Sequence, residues 1–168
     1  MTATARHPLK IDVVVDSDVW KATSDAKATV RQAVTKAAAA LSTTGTELAI
    51  VLTDDSAIRS LNRLWRGIDA TTNVLSFPTK PVRGEPSHLG DIVLAYQTIA
   101  RQARAERKPF AHHLAHLTVH GFLHLVGYHH NGDDAAVAME QAERQILRRM
   151  AIPDPYRRRA AKKASRRT

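Results

Sequence analysis

The chain is 168 residues long, 43% hydrophobic, and carries no cysteine. That length and apolar content suit one folded domain and exclude a disordered or membrane-embedded chain, while the missing thiols exclude disulfides and thiolate metal ligands. The formal charge of +9 is unevenly spread: Arg157 to Thr168 holds seven basic and no acidic residues, leaving 18 basic against 16 acidic elsewhere. The expected organisation is a nearly neutral body at 1–156 followed by a basic, disordered tail at 157–168, which serves either as a solubilising end or as a salt-sensitive grip on phosphates. There is no apolar run of about 18 residues and no signal-peptide pattern at Met1–His7, so the expected location is cytoplasmic, with no membrane partner.

Leu9 to Val15 alternates and then runs apolar with β-branched residues, which predicts a strand broken at Asp16-Ser17-Asp18. A helix is expected from Ser24 or Asp25, because Val30, Val34, Ala37 and Leu41 recur on one face; Thr43-Thr44-Gly45 stops it. Glu47 to Leu52 reads as a second strand. Asp54 or Asp55 can cap the next helix, whose inward face is expected to be Ile58, Leu61, Leu64 and Trp65.

Arg66 to Asn73 is a polar loop between that helix and an apolar strand at Val74 to Phe77, a common place for binding residues. Pro78 to Pro86 reads as an irregular connection, and His88 to Leu94 returns to strand character. Ala95 to about Lys108 is expected to be helical, with Arg101, Arg104 and Lys108 on one solvated side. Pro109 suits a first helical turn, so a new helix begins near it. A last helix opens after Gly132, with Met139, Ala142, Ile146 and Met150 as its apolar stripe. Pro153 and Pro155 close the body.

The helix after Pro109 carries His112, His116, His120 and His124 at intervals of four. At about 1.5 Å rise per residue, His116 and His124 stand roughly 12 Å apart along the axis, so only one adjacent pair can chelate one ion. His120 and His124 have what the other pairs lack. Gly127 ends the helix in the left-handed conformation, and the reversal brings His130 round towards them. Three imidazoles with one position open are the ligand set of a catalytic zinc ion, one per chain. The plain alternative is histidines that pack or face solvent. His116 is better placed as a neighbour or a core residue. The same spacing occurs in metzincin proteases, but there a glutamate following the first histidine is the general base, and here that position is Gly121.

His120 to His130 resembles the signature of the YbeY family of bacterial endoribonucleases. Arg66-Gly67-Ile68-Asp69 with Thr72 to Pro78 is similar to a second block of that family, Leu89-Gly90-Asp91-Ile92 to a third, and Asp154-Pro155-Tyr156 to its end. The resemblance spans roughly residues 9–156. It implies an α+β fold: a small mixed β-sheet with flanking helices and a buried histidine-bearing helix. It also implies zinc held by His120, His124 and His130, and an Arg66 that lies in the substrate cleft and matters for activity. The implied activity is single-strand endoribonuclease cleavage in 3′-end maturation of small-subunit ribosomal RNA and in ribosome quality control. The implied partners are ribosomal RNA and the small ribosomal subunit, with no DNA expected. One position departs from the family: His129 stands where an aspartate is usual, which raises the question of whether His129 or His130 is the third ligand. By register it is His130.

The chemistry can be argued beside the resemblance. A metal with an open position suits a phosphodiester oxygen or a water, and the planar fork of Arg66 suits phosphorane charge. The mundane role for Arg66 is a surface ion pair with Asp69. No general base is evident. Two other readings stand beside the nuclease: a metal-dependent hydrolase of peptides or small molecules, and a ribosome-assembly factor with a structural zinc.

Overall fold

The computed structural model describes residues 8–43, 47–85 and 87–157. Four strands make one mixed sheet in the order β1-β2-β4-β3: β1 (Lys10–Val15), β2 (Glu47–Thr53), β3 (Val74–Pro78) and β4 (His88–Ala95). β1 and β2 are parallel, with Lys10 opposite Glu47 and Val15 opposite Leu52; β2 and β4 are parallel; β3 runs antiparallel to β4 at the edge. The parallel pairs require crossovers: α1 (Ala26–Leu41) connects β1 to β2, and α2 (Asp55–Arg66) followed by β3 connects β2 to β4. α3 (Tyr96–Ala105), α4 (Phe110–Leu125) and α5 (Asp133–Arg149) follow the last strand. This is the α+β arrangement that the sequence leads one to expect.

Strand periodicity decides which helix goes where. Leu48, Ile50, Leu52, Ile92 and Leu94 share one face of the sheet and are wholly buried with α1, α4 and α5 in the main core. The intervening Val51, Val93 and Ala95 face the other way, onto a small cluster with Ile58 of α2. α4 therefore lies in the middle of the molecule, with buried residues on every side of it, among them Leu114, Val119, Phe122 and Leu123. Each such side chain contributes roughly 1.5–3 kcal/mol through burial.

Three expectations need amendment. Leu64 and Trp65 were expected to face inward from α2, but they are 74% and 67% exposed. α2 touches only the smaller face of the sheet, so a narrow stripe of Ile58, Asn62 and part-buried Leu61 satisfies it; Trp65 lies outside, edge-on to Phe77. Asp16 to Asp18 does more than end a strand: Asp18–Ala22 is a 3-10 turn that buries Trp20, whose Nε1–H donates to the Thr53 carbonyl at 2.8 Å. α3 stops at Ala105, short of Lys108, because Arg107 adopts φ 52° and the Lys108 N–H closes onto the Ala103 carbonyl at 3.0 Å. α1 ends at a left-handed Ser42; Thr44 and Gly45, like Met1–His7 and the tail beyond Arg157, lie outside the described residues. Among the described residues no helix is long and apolar enough to cross a membrane.

Candidate metal centre and cleft

α4 carries the site because both of its faces are fixed. On the sheet side, a Cβ on Gly121 would stand 2.9 Å from Ile92 Cγ2 and 3.2 Å from Val74 Cγ2, and the Gly121 carbonyl accepts the Ser76 hydroxyl at 2.9 Å. A glutamate at 121 would have to enter the packed sheet. The position is glycine for reasons of space, and no protease-type base can sit there.

On the other side the histidines converge. α4 ends at Leu125; Gly127 takes φ 101°, and the Tyr128 N–H bonds the Leu123 carbonyl at 3.0 Å, which turns the chain back. His124 Nε2 then lies 3.2 Å from His120 Nε2 and 3.0 Å from His130 Nε2. Three nitrogens bound tetrahedrally at about 2.0–2.1 Å from one ion stand roughly 3.3 Å apart. His120, His124 and His130 form a group whose donor atoms all lie within 4.8 Å of one another. His129 is not a member of that group; it lines a separate small pocket with Val126, Tyr128 and Ala135.

The hydrogen bonds behind the rings set the tautomers. His120 Nδ1–H donates to Glu143 Oε1 at 2.6 Å, and His124 Nδ1–H donates to the Tyr128 carbonyl at 2.9 Å. Their Nε2 atoms are therefore bare lone pairs aimed at each other, an arrangement that favours a cation between them. Burial first, and the neighbouring His120 next, push His124 and His130 below the usual histidine range, which keeps both neutral and able to ligate.

Glu143 was not singled out by the sequence reading, although it lies on the same stripe of α5 as Met139 and Ile146. A carboxylate on an otherwise apolar helix face was the available signal. It is 0% exposed and accepts three donors: His120 Nδ1–H on Oε1, and His116 Nε2–H at 2.7 Å together with the Tyr156 hydroxyl on Oε2. Burial opposes its charge, but the hydrogen bonds from His116 and His120 more than offset that and hold it at about 2. A metal-binding histidine backed by a carboxylate is oriented and made more basic. His116 is thus a neighbour of the site, one step removed from it.

The histidines open on a cleft of about 820 Å³ between the α3–α4 turn, α5 and the segment 152–157 that follows it, walled by His116, His120, His130, Gln102, Arg107 and Tyr156 among others. Arg66, expected in the substrate cleft, is exposed at the end of α2 and does not line this cleft; Asp69, its partner in the mundane alternative, is held by Arg59 at 2.8 Å. Of the basic face on α3, Arg101 pairs with Asp55 at 2.9 Å.

The sequence description of the family "Endoribonuclease YbeY" matches residues 14–151. The chain belongs to the YbeY family. An Endoribonuclease YbeY of Nitrobacter hamburgensis is 54% identical over 153 residues, covering 86% of this chain and 80% of the relative. One from Bradyrhizobium diazoefficiens is 49% identical over 165 residues, covering 92% and 90%. In three dimensions the chain is similar to the solution structure of TM1509 from Thermotoga maritima, with a TM-score of 0.51 and 22% identity over 84% of this chain and 91% of that one. That likeness bears on the fold alone.

Proposed function

We propose that this YbeY-family chain is a zinc-dependent endoribonuclease that cuts single-stranded RNA, with ribosomal RNA of the small subunit as its substrate, in 3′-end maturation and ribosome quality control in the cytoplasm. The observation that carries this is the convergence of His120, His124 and His130 with tautomers that leave Nε2 lone pairs facing one point. An all-imidazole donor set suits zinc, and bound there the ion would supply Lewis acidity at a phosphodiester oxygen and lower the pKa of a water.

The chain's own groups do the rest. His120 and His124 are held in place by Glu143 and the Tyr128 carbonyl, so little reorganisation accompanies loading. Arg66, whose guanidinium has no carboxylate partner among the described residues, is proposed to hold a substrate phosphate, of which its planar fork can grip two oxygens. Arg157 at the cleft wall begins the basic tail, which is proposed to add non-specific affinity.

The test is cleavage of precursor small-subunit RNA by the zinc-loaded chain, beside chelated protein, His124→Ala and Arg66→Ala. Metal-dependent cutting lost in His124→Ala and reduced at least tenfold in Arg66→Ala supports the proposal. RNA binding with no cutting by any form would instead favour a non-enzymatic assembly role, and casein hydrolysis lost in His124→Ala would favour a peptidase.

A further inference from the structure

The far end of the cleft holds a second polar cluster that the metal centre does not use. Asn73 Oδ1 accepts the N–H of Val74 at 2.7 Å, so its amide nitrogen must face Gln102. Asn73 Nδ2–H then donates to Gln102 Oε1 at 3.0 Å, and the same oxygen lies 2.8 Å from His113 Nε2. Because that oxygen is an acceptor, His113 must carry its proton on Nε2. The Gln102 amide is thereby locked, with its oxygen inward and its NH₂ group turned away from the network; Gln102, Asn73 and His113 all line the cleft. Among the described residues nothing accepts from that NH₂ group. His113 is 4% exposed, and its Nδ1, like that of His116, has no partner among the described residues.

One turn further on, Arg107 stands at φ 52°, a left-handed position where glycine or asparagine is the easy choice. It lines the same cleft and has no carboxylate partner among the described residues, whereas the neighbouring Lys108 is paired with Glu106. A cation kept where the backbone disfavours it points to a negatively charged occupant.

We infer that Asn73, Gln102, His113 and Arg107 form a nucleotide subsite, in which the Gln102 amide donates to a carbonyl oxygen of an RNA base and Arg107 holds the adjoining phosphate. The inference rests on the reading of the cleft as an RNA site. A donor amide placed for a carbonyl oxygen finds one on uracil, cytosine and guanine, whereas adenine offers only ring nitrogens, set at different positions, and binds there less well. The subsite is joined to the metal centre along one wall of α4: the rings of His113 and His116 are 6.2 Å apart, and those of His116 and His120 6.5 Å. A strand passing the metal can therefore place a neighbouring base on Gln102, and this gives the cleavage a sequence preference.

Two variants leave the fold in place. Gln102→Glu keeps an oxygen for both Asn73 and His113 and replaces the NH₂ donor with a charged acceptor, so its readout is the difference between bases and not the overall affinity. Arg107→Gly relieves the backbone and removes only the cation. The assay is binding of fluorescein-labelled uridine, cytidine and adenosine hexanucleotides by the full-length zinc-loaded chain, over times too short for cleavage, with zinc content and Tm alongside. Gln102→Glu is expected to weaken uridine and cytidine hexamers about tenfold more than adenosine hexamers, at unchanged zinc content. Arg107→Gly is expected to raise or hold Tm, weaken all hexamers, and lower the slope of log affinity against log salt by about 0.7. Equal weakening of all bases by Gln102→Glu, or a salt slope untouched by Arg107→Gly, would overturn the subsite while the nuclease reading stands. A wild-type chain that binds none of the hexamers would overturn both.

Discussion

Around Glu143 three donors close on one wholly buried carboxylate, whereas around Gln102 two donors close on one amide oxygen. Both networks hold histidines of the same helix, α4, and both line the same cleft. The difference lies in charge. The first is ionic, and its negative charge stands directly behind a ring that faces the candidate metal position. The second is neutral: burial, aided by the nearby Lys108 and His116, pushes His113 down to about 4. A carboxylate is useful where a cation is to be held, because it makes the imidazole a better donor. A neutral amide is useful where a base is to be read, because it offers direction without attracting or repelling the whole strand.

The largest expected effect breaks the ionic network. Glu143→Leu leaves the His116 Nε2–H and His120 Nδ1–H buried without an acceptor, and is expected to cost about 3–5 kcal/mol in urea unfolding. Glu143→Gln keeps the volume and one acceptor, and is expected to weaken zinc about 10–100-fold in competition with a chromogenic chelator. Wild-type zinc affinity in Glu143→Gln would show that the carboxylate does not support the ligand.

Acid separates the two networks. His113 is neutral in the folded chain down to about 4 and titrates near 6.5 when unfolded, so the unfolded state takes up the proton first. Its contribution is present above 6.5 and is lost as pH falls towards 4. Glu143, held at about 2 against an ordinary 4.5, keeps its contribution until pH drops below 4.5 and loses it towards 2. Chelated wild type compared with His113→Gln should therefore differ in urea midpoint between pH 7 and pH 4.5, by roughly 2–3 kcal/mol over that window. Identical pH slopes would show that His113 is not held neutral.

The two networks also differ in how far the sequence disclosed them. His120, His124, Gly127 and His130 are close in the chain, so helical periodicity and a left-handed glycine suffice to bring them together, and the structure places their donor atoms within 4.8 Å. Strand alternation likewise fixes which residues of β2 and β4 meet α4. Glu143 required knowing that α5 lies against α4, a contact across 23 residues that no local pattern encodes. Gln102 and Asn73 meet across 29 residues, on an element and a loop with no repeating pattern to link them. For Gly121 the sequence reading was incomplete in a different way: the missing side chain was legible, but its cause, the approach of β3 and β4, belongs to tertiary packing. Leu64 and Trp65 failed because hydrophobicity was taken for burial on a helix that has only a narrow partner surface.

The smallest effect tests whether the two oxygens of Glu143 can be told apart. Oε1 serves His120 alone, and Oε2 serves His116 and the Tyr156 hydroxyl. Tyr156 is tied in elsewhere: its N–H donates to Asp154 at 2.8 Å, and the Arg144 guanidinium stands 5.1 Å over its ring. Tyr156→Phe keeps that ring contact and removes one donor from a carboxylate that still has two. The expected loss is about 1.5 kcal/mol of stability, the lower end for a hydrogen bond to a charged group. Zinc affinity should change less than about threefold, because the 10–100-fold effect of a supporting carboxylate runs through the oxygen facing the ligand. If Tyr156→Phe instead weakened zinc as much as Glu143→Gln does, the carboxylate would be acting as one undivided charge, and Tyr156 would belong to the metal centre as fully as Glu143.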